Sequence, residues 1–151
     1  MQPHFLYAAP RHVGRLRVRY LLDTSAYFQG RLNAAAMRRL SELAAADELA
    51  ICVPAMLEIL VAARDGRDWP QMRNALGLLP RVELSDPLAV IDLHGALTQR
   101  GWHRTPPVDV LVAATAAEHR LTVLHYDRDF ERLTTASGGT HEWVIPAGSG
   151  H

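Results

Sequence analysis

Lysine is absent from this chain of 151 residues, and all 16 basic residues are therefore arginine. The absence excludes Schiff-base catalysis and the lysine of a phosphate-binding P-loop. Cysteine is nearly absent too, since Cys52 is the single one. It has no partner for a disulfide within one chain, and it lies in the apolar run 49–53. We interpret it as a core residue of a protein from a reducing compartment.

The chain also lacks net charge, because 16 acidic residues balance the 16 basic ones. This argues against a protein that coats nucleic acid through a broad basic face, but it is compatible with an enzyme that has a local groove. No run approaches the roughly 20 apolar residues that a bilayer requires. We therefore predict a soluble, cytoplasmic protein with no membrane partner.

The first segment is basic, with Arg11, Arg15 and Arg17, and it has no apolar stretch typical of a signal peptide. We predict that residues 1–17 are a disordered extension or an artefact of start-site choice. The content of hydrophobic residues, 48%, is that of a globular protein. We predict one domain over residues 18–146 and a frayed tail over 147–151.

Short apolar runs alternate with helical patterns along this domain. The runs that we predict to be strands are 18–22, 49–53, 81–84, 121–125 and 142–145. Pro54 and Pro107 stand where helices begin, and Thr24 or Ser25 is predicted to cap the first helix. The alternation predicts an α/β fold, a three-layer α/β/α sandwich with a mostly parallel central sheet of about five strands.

Acidic residues recur where this fold would bring them to one edge of the sheet. Asp23 and Asp127 each follow a predicted strand, Asp109 opens a helix, and Glu58 is the only charge in an apolar helix. Ligands of parallel α/β sheets bind beyond the carboxyl ends of the strands. Each acid alone has a structural explanation, as a helix cap or an ion-pair partner. Their joint placement predicts a catalytic centre.

Gathered carboxylates need a compensating cation, because like charges raise each other's pKa. Carboxylate oxygens select hard ions, so we predict Mg²⁺, with Mn²⁺ as a substitute. The sequence has no Cys/His cluster at zinc-ligand spacing. His125 is a weaker candidate ligand, and His94 is interpreted as a packed or surface residue. A centre of this kind suits phosphodiester hydrolysis by metal-activated water.

The acids lie in motifs that together resemble a PIN domain of the VapC toxin type. The motifs are LLDTS at 21–25, PAMLE at 54–58, PVDVLVAATA at 107–116 and LHYDRDF at 124–130. The resemblance implies a Mg²⁺-dependent endoribonuclease that is the toxin of a type II toxin-antitoxin system. It also implies a homodimer, an RNA substrate, inhibition by a VapB-like antitoxin, and contact with DNA only indirectly through that antitoxin.

The resemblance assigns roles to residues at the matching motif positions. The residues assigned to catalysis and metal binding are Asp23, Glu58, Asp109 and Asp127. Asp129 is a further metal ligand by the same resemblance, although it could equally cap the last helix. Thr24 matches a supporting hydroxyl position.

Partner surfaces are less defined by the sequence. The candidates for RNA binding are Arg31, Arg104 and Arg128. An apolar groove for the antitoxin would be lined by Met56, Leu57, Leu60 and Trp69, which are equally well explained as core. An antitoxin arginine that contacts the acids in a bidentate manner would displace the metal.

Other functions of similar folds fit the residues less well. A phosphorelay receiver needs a lysine, and a haloacid-dehalogenase-type phosphatase needs a second aspartate where Thr24-Ser25 follows Asp23. A non-catalytic RNA-binding or scaffolding module with the same fold is the alternative from another class. The four acids argue against it, since a lapsed site has no reason to keep costly carboxylates.

Overall fold

A computed structural model describes residues 17–150, so the predicted basic extension lies outside the described residues except for Arg17. The elements, in chain order, are β1 Tyr20–Leu22, α1 Thr24–Leu32, α2 Ala34–Ala45, β2 Leu49–Ala50, α3 Val53–Leu60, α4 Asp68–Leu76, α5 Ala89–Gln99, α6 Pro107–His119, β3 Thr122–His125, α7 Asp129–Ser137 and β4 Thr140–Trp143. Over this described range, none of the helices is long and apolar enough to cross a bilayer.

The strands form a parallel sheet in the order β2-β1-β3-β4. The two central strands are paired with Leu22 opposite Leu124, and their inner residues Leu21 and Val123 are fully buried. Strands covered on both faces have continuous apolar sequences, which is why these short runs are recognisable. The predicted α/β class and the parallel sheet are confirmed.

The prediction of about five strands is wrong, because the described residues form four. The segment 81–84 contributes only one parallel bridge, between Ile51 and Arg81. Pairing stops there because α3 begins at Val53, and the Val53 N–H donates to the side chain of Glu83 rather than to a backbone carbonyl. Strand β2 is therefore the edge strand of the sheet on this side, because the chain turns into α3 directly after it and segment 81–84 forms no fifth strand.

The prediction that Thr24 or Ser25 caps the first helix is wrong, and the structural explanation of Asp23 as a helix cap is confirmed. Asp23, and not Thr24 or Ser25, occupies the N-cap of α1, with an extended backbone and a side chain that accepts the Ser25 N–H at 2.9 Å. The strand ends at Leu22 and the helix begins at Thr24, so the residue between them is the one with cap geometry. This junction places a carboxylate at the edge of the sheet.

Helix α6 packs against β1, β3, α3, α5 and α7, and it is buried over most of its length. Its buried positions include the small residues Ala113, Ala114 and Ala116, which let the helix approach the sheet closely. Helix α7 ends at Ser137, and Gly138 follows it with φ of 73°. In the predicted tail, the Gly150 N–H donates to the Tyr126 hydroxyl at 2.7 Å.

Candidate metal centre

The loop after β3 is brought beside the end of β1 by strand pairing. The Asp23 N–H donates to the Leu124 carbonyl at 3.0 Å, which continues the β1–β3 pairing past the end of β1. Asp127 and Asp129 follow in that loop and in the first turn of α7. The Asp129 N–H donates to Asp127 Oδ1 at 2.9 Å, so the loop is held by its own acid. The topology thus places these three acids at one edge of the sheet.

Two helices add the remaining acids. Asp109 lies in the first turn of α6, which begins at Pro107, and it is buried. Glu58 lies on α3 and is half-buried. Helices α3 and α6 are in contact, so both side chains are carried toward the same region. We call Asp23, Glu58, Asp109, Asp127 and Asp129 the acid cluster.

The acid cluster has a compact part and a periphery. Asp109, Asp127 and Asp129 each offer a carboxylate oxygen, and these oxygens lie within 4.8 Å of one another. Asp23 and Glu58 are outside this group of three, but their charges act on Asp109. The chemistry of the set is entirely oxygen, the donor type that Mg²⁺ and Mn²⁺ prefer.

Burial and mutual repulsion raise the pKa of the two most buried acids. Burial, with the added charges of Asp23, Asp127, Glu58 and Asp129, raises the pKa of Asp109 to about 8. Burial also raises the pKa of Asp23 to about 6, although the two hydrogen bonds from Ser25 oppose this. At neutral pH the metal-free protein therefore holds a proton on Asp109, and a divalent cation would replace it.

Ser25 is predicted from sequence only as a possible cap, and the structure gives it a larger role. Its Oγ donates to Asp23 Oδ2 at 2.5 Å and accepts the Tyr126 N–H at 2.8 Å. One hydroxyl therefore joins the acid after β1 to the loop after β3. The signal in the sequence is a hydroxyl residue two positions after an acid, but its second partner is 101 positions away and cannot be read there.

Two buried oxygens at the end of β1 have no hydrogen-bond partner in the part of the chain that the structure describes. Asp23 Oδ1 and Thr24 Oγ1 are buried and have no hydrogen-bond partner among the described residues. A buried carboxylate oxygen without a partner is costly, and a metal ion or its water ligands would satisfy it. Together with the all-oxygen set and the raised pKa of Asp109, this shows that the residues fit a hard divalent cation.

His125 supports the acid cluster from behind. It is fully buried, its Nδ1 accepts the Asp127 N–H at 3.0 Å, and its Nε2 lies 2.9 Å from His141 Nδ1. Burial and the charge of His141 lower the pKa of His125 to about 4, so it is neutral and carries its proton on Nε2. Both ring nitrogens are used within the protein, and neither is free to bind a metal. His94, predicted to be a packed or surface residue, is exposed, and its Nε2 lies 3.1 Å from the His103 carbonyl.

The predicted partner residues lie in different places. Arg104 lines a cavity with Asp129, Arg128 is exposed at the N-cap of α7, and Arg31 lines a separate apolar cavity between α1, α2 and α4. Of the residues predicted for an antitoxin groove, Leu60 is buried in the core, Met56 and Trp69 are half-buried, and Leu57 is 63% exposed. The structure thus divides this set between the core and the surface.

Known proteins are similar to this chain in sequence and in fold. Residues 20–135 match the model of the PIN domain family. Ribonuclease VapC51 of Mycobacterium tuberculosis is 36% identical over 140 residues, which cover 89% of this chain and 98% of that protein. Ribonuclease VapC18 of the same organism is 30% identical over 138 residues, with 86% and 98% covered. The crystal structure of DNA-bound VapBC from Salmonella typhimurium superposes with a TM-score of 0.68 at 17% identity, covering 85% of this chain and 99% of that chain.

Proposed function

Since the chain belongs to the PIN domain family, we propose that it is the ribonuclease toxin of a toxin-antitoxin pair and that its acid cluster hydrolyses RNA phosphodiester bonds. The observation that carries the proposal is the gathering of Asp109, Asp127 and Asp129 oxygens within 4.8 Å, beside the buried Asp23. Relatives that are named ribonucleases and span nearly the same length support the same reaction for this chain.

We assign the metal site to the acid cluster, with Mg²⁺ as the cofactor and Mn²⁺ as a substitute. Asp109, Asp127 and Asp129 would hold the ion, and Asp23 and Glu58 would complete its surroundings. A bound divalent cation supplies positive charge for the phosphate oxygens and makes a water molecule more acidic. Four of these acids come from the ends of strands and the starts of helices, which are rigid positions for a catalytic site.

Two further residues, Ser25 and His125, position the acids. Ser25 holds Asp23 through two hydrogen bonds, and His125 accepts the backbone N–H of Asp127. Asp109 would hold the cation as an ionised carboxylate, and its proton would be released to solvent. The unpaired Thr24 hydroxyl lies at the same edge, and we propose it as a supporting group.

The test is cleavage of total RNA by the purified protein with Mg²⁺, Mn²⁺ or EDTA, beside Asp23→Asn and Asp109→Asn. Cutting should require the divalent ion and should fall about 100-fold or more in both variants. Asp92→Asn, an exposed acid on α5, is the matched control and should cut normally. RNA left intact by folded, antitoxin-free protein in every metal would favour the non-catalytic RNA-binding or scaffolding module.

We propose that the cognate VapB-like antitoxin inserts an apolar segment into the cavity between α1, α2 and α4. This cavity has a volume of about 400 Å³ and is lined by Tyr27, Met37 and Leu40, with Arg31 at its wall. Structural neighbours that were solved as VapBC complexes support an antitoxin partner. DNA would be reached only through that antitoxin, and an antitoxin arginine could also displace the metal from the acid cluster.

The proposed homodimer has a separate surface. Val53, Leu57 and Val61 recur every four residues along α3 and its C-cap, and they are 46%, 63% and 77% exposed. Positions four residues apart share one side of a helix, so they form an exposed apolar stripe. We propose that this stripe packs against a second copy of the chain, and that the assembly acts in the cytoplasm, where its RNA substrate is found.

A further inference from the structure

A cavity adjoins the acid cluster on the side of the α5–α6 loop. It has a volume of about 170 Å³ and is lined by residues 101–105 of that loop and by Asp129 and Arg132 of α7. Asp129 therefore faces both the compact part of the acid cluster and this cavity. We call it the loop cavity. A ligand in it would lie next to any group bound at the metal centre.

The loop cavity carries positive charge that is not neutralised by the acids beside it. Arg104 and Arg132 line it together with Asp129. Within residues 17–150, neither arginine forms an ion pair with a carboxylate at 4.0 Å or less. Arginines that lie beside an acid without pairing to it keep their donors available for another anion. Guanidinium groups bind phosphate through two parallel hydrogen bonds, so a phosphate group is an anion that they can hold.

An aromatic ring restricts one of these two arginines, Arg132, together with the neighbouring Arg100. The guanidinium carbons of Arg100 and Arg132 each lie 5.5 Å from the ring centroid of Trp102, the distance of a cation–π contact. Such contacts restrict long side chains that would otherwise lose rotamer freedom when a ligand binds. Trp102 thus holds Arg132 near the wall of the loop cavity before any ligand arrives.

The loop itself is fixed by hydrogen bonds to its neighbours. The Trp102 N–H donates to the Leu97 carbonyl at 2.9 Å, and the Thr105 hydroxyl donates to the Trp102 carbonyl at 2.9 Å. His94 Nε2 is 3.1 Å from the His103 carbonyl. Gly101 turns the chain with φ of 77°, a conformation that glycine adopts without strain. The loop cavity is therefore preorganised.

We propose that the loop cavity binds a backbone phosphate of single-stranded RNA next to the phosphodiester bond that is hydrolysed. Arg104 and Arg132 bind the phosphate, and Trp102 is a positioning residue for Arg132. The inference rests on the proposed ribonuclease function and deepens it by assigning a substrate subsite. A local pair of cations also explains how a chain with a net charge of 0 retains RNA without a broad basic face.

The test uses a short, fluorescein-labelled, mixed-sequence single-stranded RNA, whose anisotropy is measured against protein with Ca²⁺ at several salt concentrations. Arg104→Gln and Arg132→Gln should each weaken binding about tenfold, and each should lower the slope of log K against log salt by about 0.7, the value for one phosphate. Mn²⁺ affinity, measured by calorimetry without RNA, should be unchanged. Arg38→Gln, an exposed arginine on α2, is the matched control and should bind as wild type.

Two further outcomes separate this subsite from the nuclease activity itself. If wild type cuts RNA and both variants bind it with unchanged affinity and salt slope, the subsite is wrong while the ribonuclease function stands. If wild type cuts no RNA but binding is weakened in Arg104→Gln and Arg132→Gln, the subsite stands and the nuclease function fails. An equal weakening in Arg38→Gln would overturn the subsite, because the effect would then be one of net charge alone.

Discussion

Ser25 holds one carboxylate oxygen of Asp23 through two hydrogen bonds, with its N–H at 2.9 Å and its hydroxyl at 2.5 Å from Oδ2. The same hydroxyl accepts the Tyr126 N–H, so the acid after β1 and the loop after β3 are joined through one oxygen. Both bonds from Ser25 lower the pKa of Asp23, against the burial that raises it to about 6. The serine thus keeps a buried acid in the ionised form that a metal requires.

Ser25→Ala should raise the pKa of Asp23 further, because the substitution removes the hydroxyl bond that favours the ionised acid. Mn²⁺ affinity at about pH 6 should fall by roughly 10-fold, the scale seen when a hydrogen bond to a metal ligand is removed. The difference in Mn²⁺ affinity between wild type and Ser25→Ala should decrease as the pH rises, because Asp23 is then ionised in both proteins. Calorimetric titration across pH checks this. Ser25→Thr keeps the hydroxyl and should bind as wild type, and an equal decrease at every pH would contradict the explanation.

The stability of the metal-free protein should fall as pH rises. The folded-state pKa values of Asp23 and Asp109, about 6 and about 8, lie above those of exposed aspartic acids, so the folded chain holds protons that the unfolded chain has released. The contribution of these two protonated acids to the stability of the folded protein is fully present below about pH 4. It is lost as pH passes through 6 and then 8.

Urea unfolding in EDTA should therefore give a free energy of unfolding about 2–4 kcal/mol lower near pH 8.5 than near pH 5.5. Added Mn²⁺ should reverse the difference, because it binds the ionised acids. Metal-free stability that rises over this interval would show that other groups dominate the titration.

Asp109→Asn should stabilise the metal-free protein while weakening its metal site. The amide has nearly the same shape but carries no charge, so the repulsion from Asp23, Asp127, Glu58 and Asp129 disappears. We expect a gain of about 1–3 kcal/mol in the free energy of unfolding near pH 8, together with loss of most of the Mn²⁺-dependent rise in melting temperature. Thermal unfolding with and without Mn²⁺ measures both.

The control for this substitution is Asp92→Asn, whose carboxyl is exposed on α5. Its stability should change by no more than about 0.5 kcal/mol, and its response to Mn²⁺ should equal that of wild type. An Asp109→Asn protein that is less stable than wild type at high pH would mean that the acid contributes structurally rather than as a ligand.

The acid cluster is largely predictable from sequence because four of its five members follow strands or begin helices, and both positions have local signals. Asp23 follows an apolar run, Asp109 follows two prolines, and Asp127 follows a β-branched run. Parallel pairing then brings Asp23 level with the loop after Leu124. The periodicity of the sequence is therefore enough to infer that these acids lie at the same edge of one sheet.

The features of the site and of the sheet that were not predicted depend on contacts between distant parts of the chain. The hydrogen bond from the Tyr126 N–H to Ser25 Oγ, and the one between His125 and His141, require the register of β3 against its neighbours. The residues at 81–84 favour a strand, yet the start of α3 at Val53 removes the partner that this strand would need. Local patterns cannot show such competition.

His125 should be structural and not a ligand. Its two nitrogens are occupied by the Asp127 N–H and by His141. It also packs against Phe130 and Trp143. His125→Ala should therefore cost about 2–4 kcal/mol in the free energy of unfolding, because it leaves a cavity and removes two hydrogen bonds. Urea unfolding without metal gives the value.

His94→Ala is the comparison, since that imidazole is exposed, and it should cost about 0.5 kcal/mol or less. An unchanged metal-free stability in His125→Ala, with Mn²⁺ binding abolished, would instead make His125 a ligand.

Two apolar surfaces are proposed for two different partners, and one pair of substitutions tests each proposal separately. Met37 is 47% exposed and lines the cavity between α1, α2 and α4, whereas Leu57 is 63% exposed on α3. Met37→Glu should weaken antitoxin binding by about 100-fold and leave the dimer intact, because a buried unpaired charge costs several kcal/mol. Leu57→Glu should dissociate the dimer and leave antitoxin binding nearly unchanged.

Sedimentation velocity measures the mass of each toxin variant, and calorimetry with the purified antitoxin measures the affinity. Each variant is the control for the other, because both place a glutamate at a half-exposed apolar position. If Leu57→Glu abolished antitoxin binding while Met37→Glu retained it, the antitoxin would lie on α3, the helix that contributes Met56, Leu57 and Leu60 to the groove predicted from sequence. Both proposals would then be wrong, because the antitoxin would not bind in the cavity between α1, α2 and α4, and the exposed stripe on α3 would not be only a dimer surface.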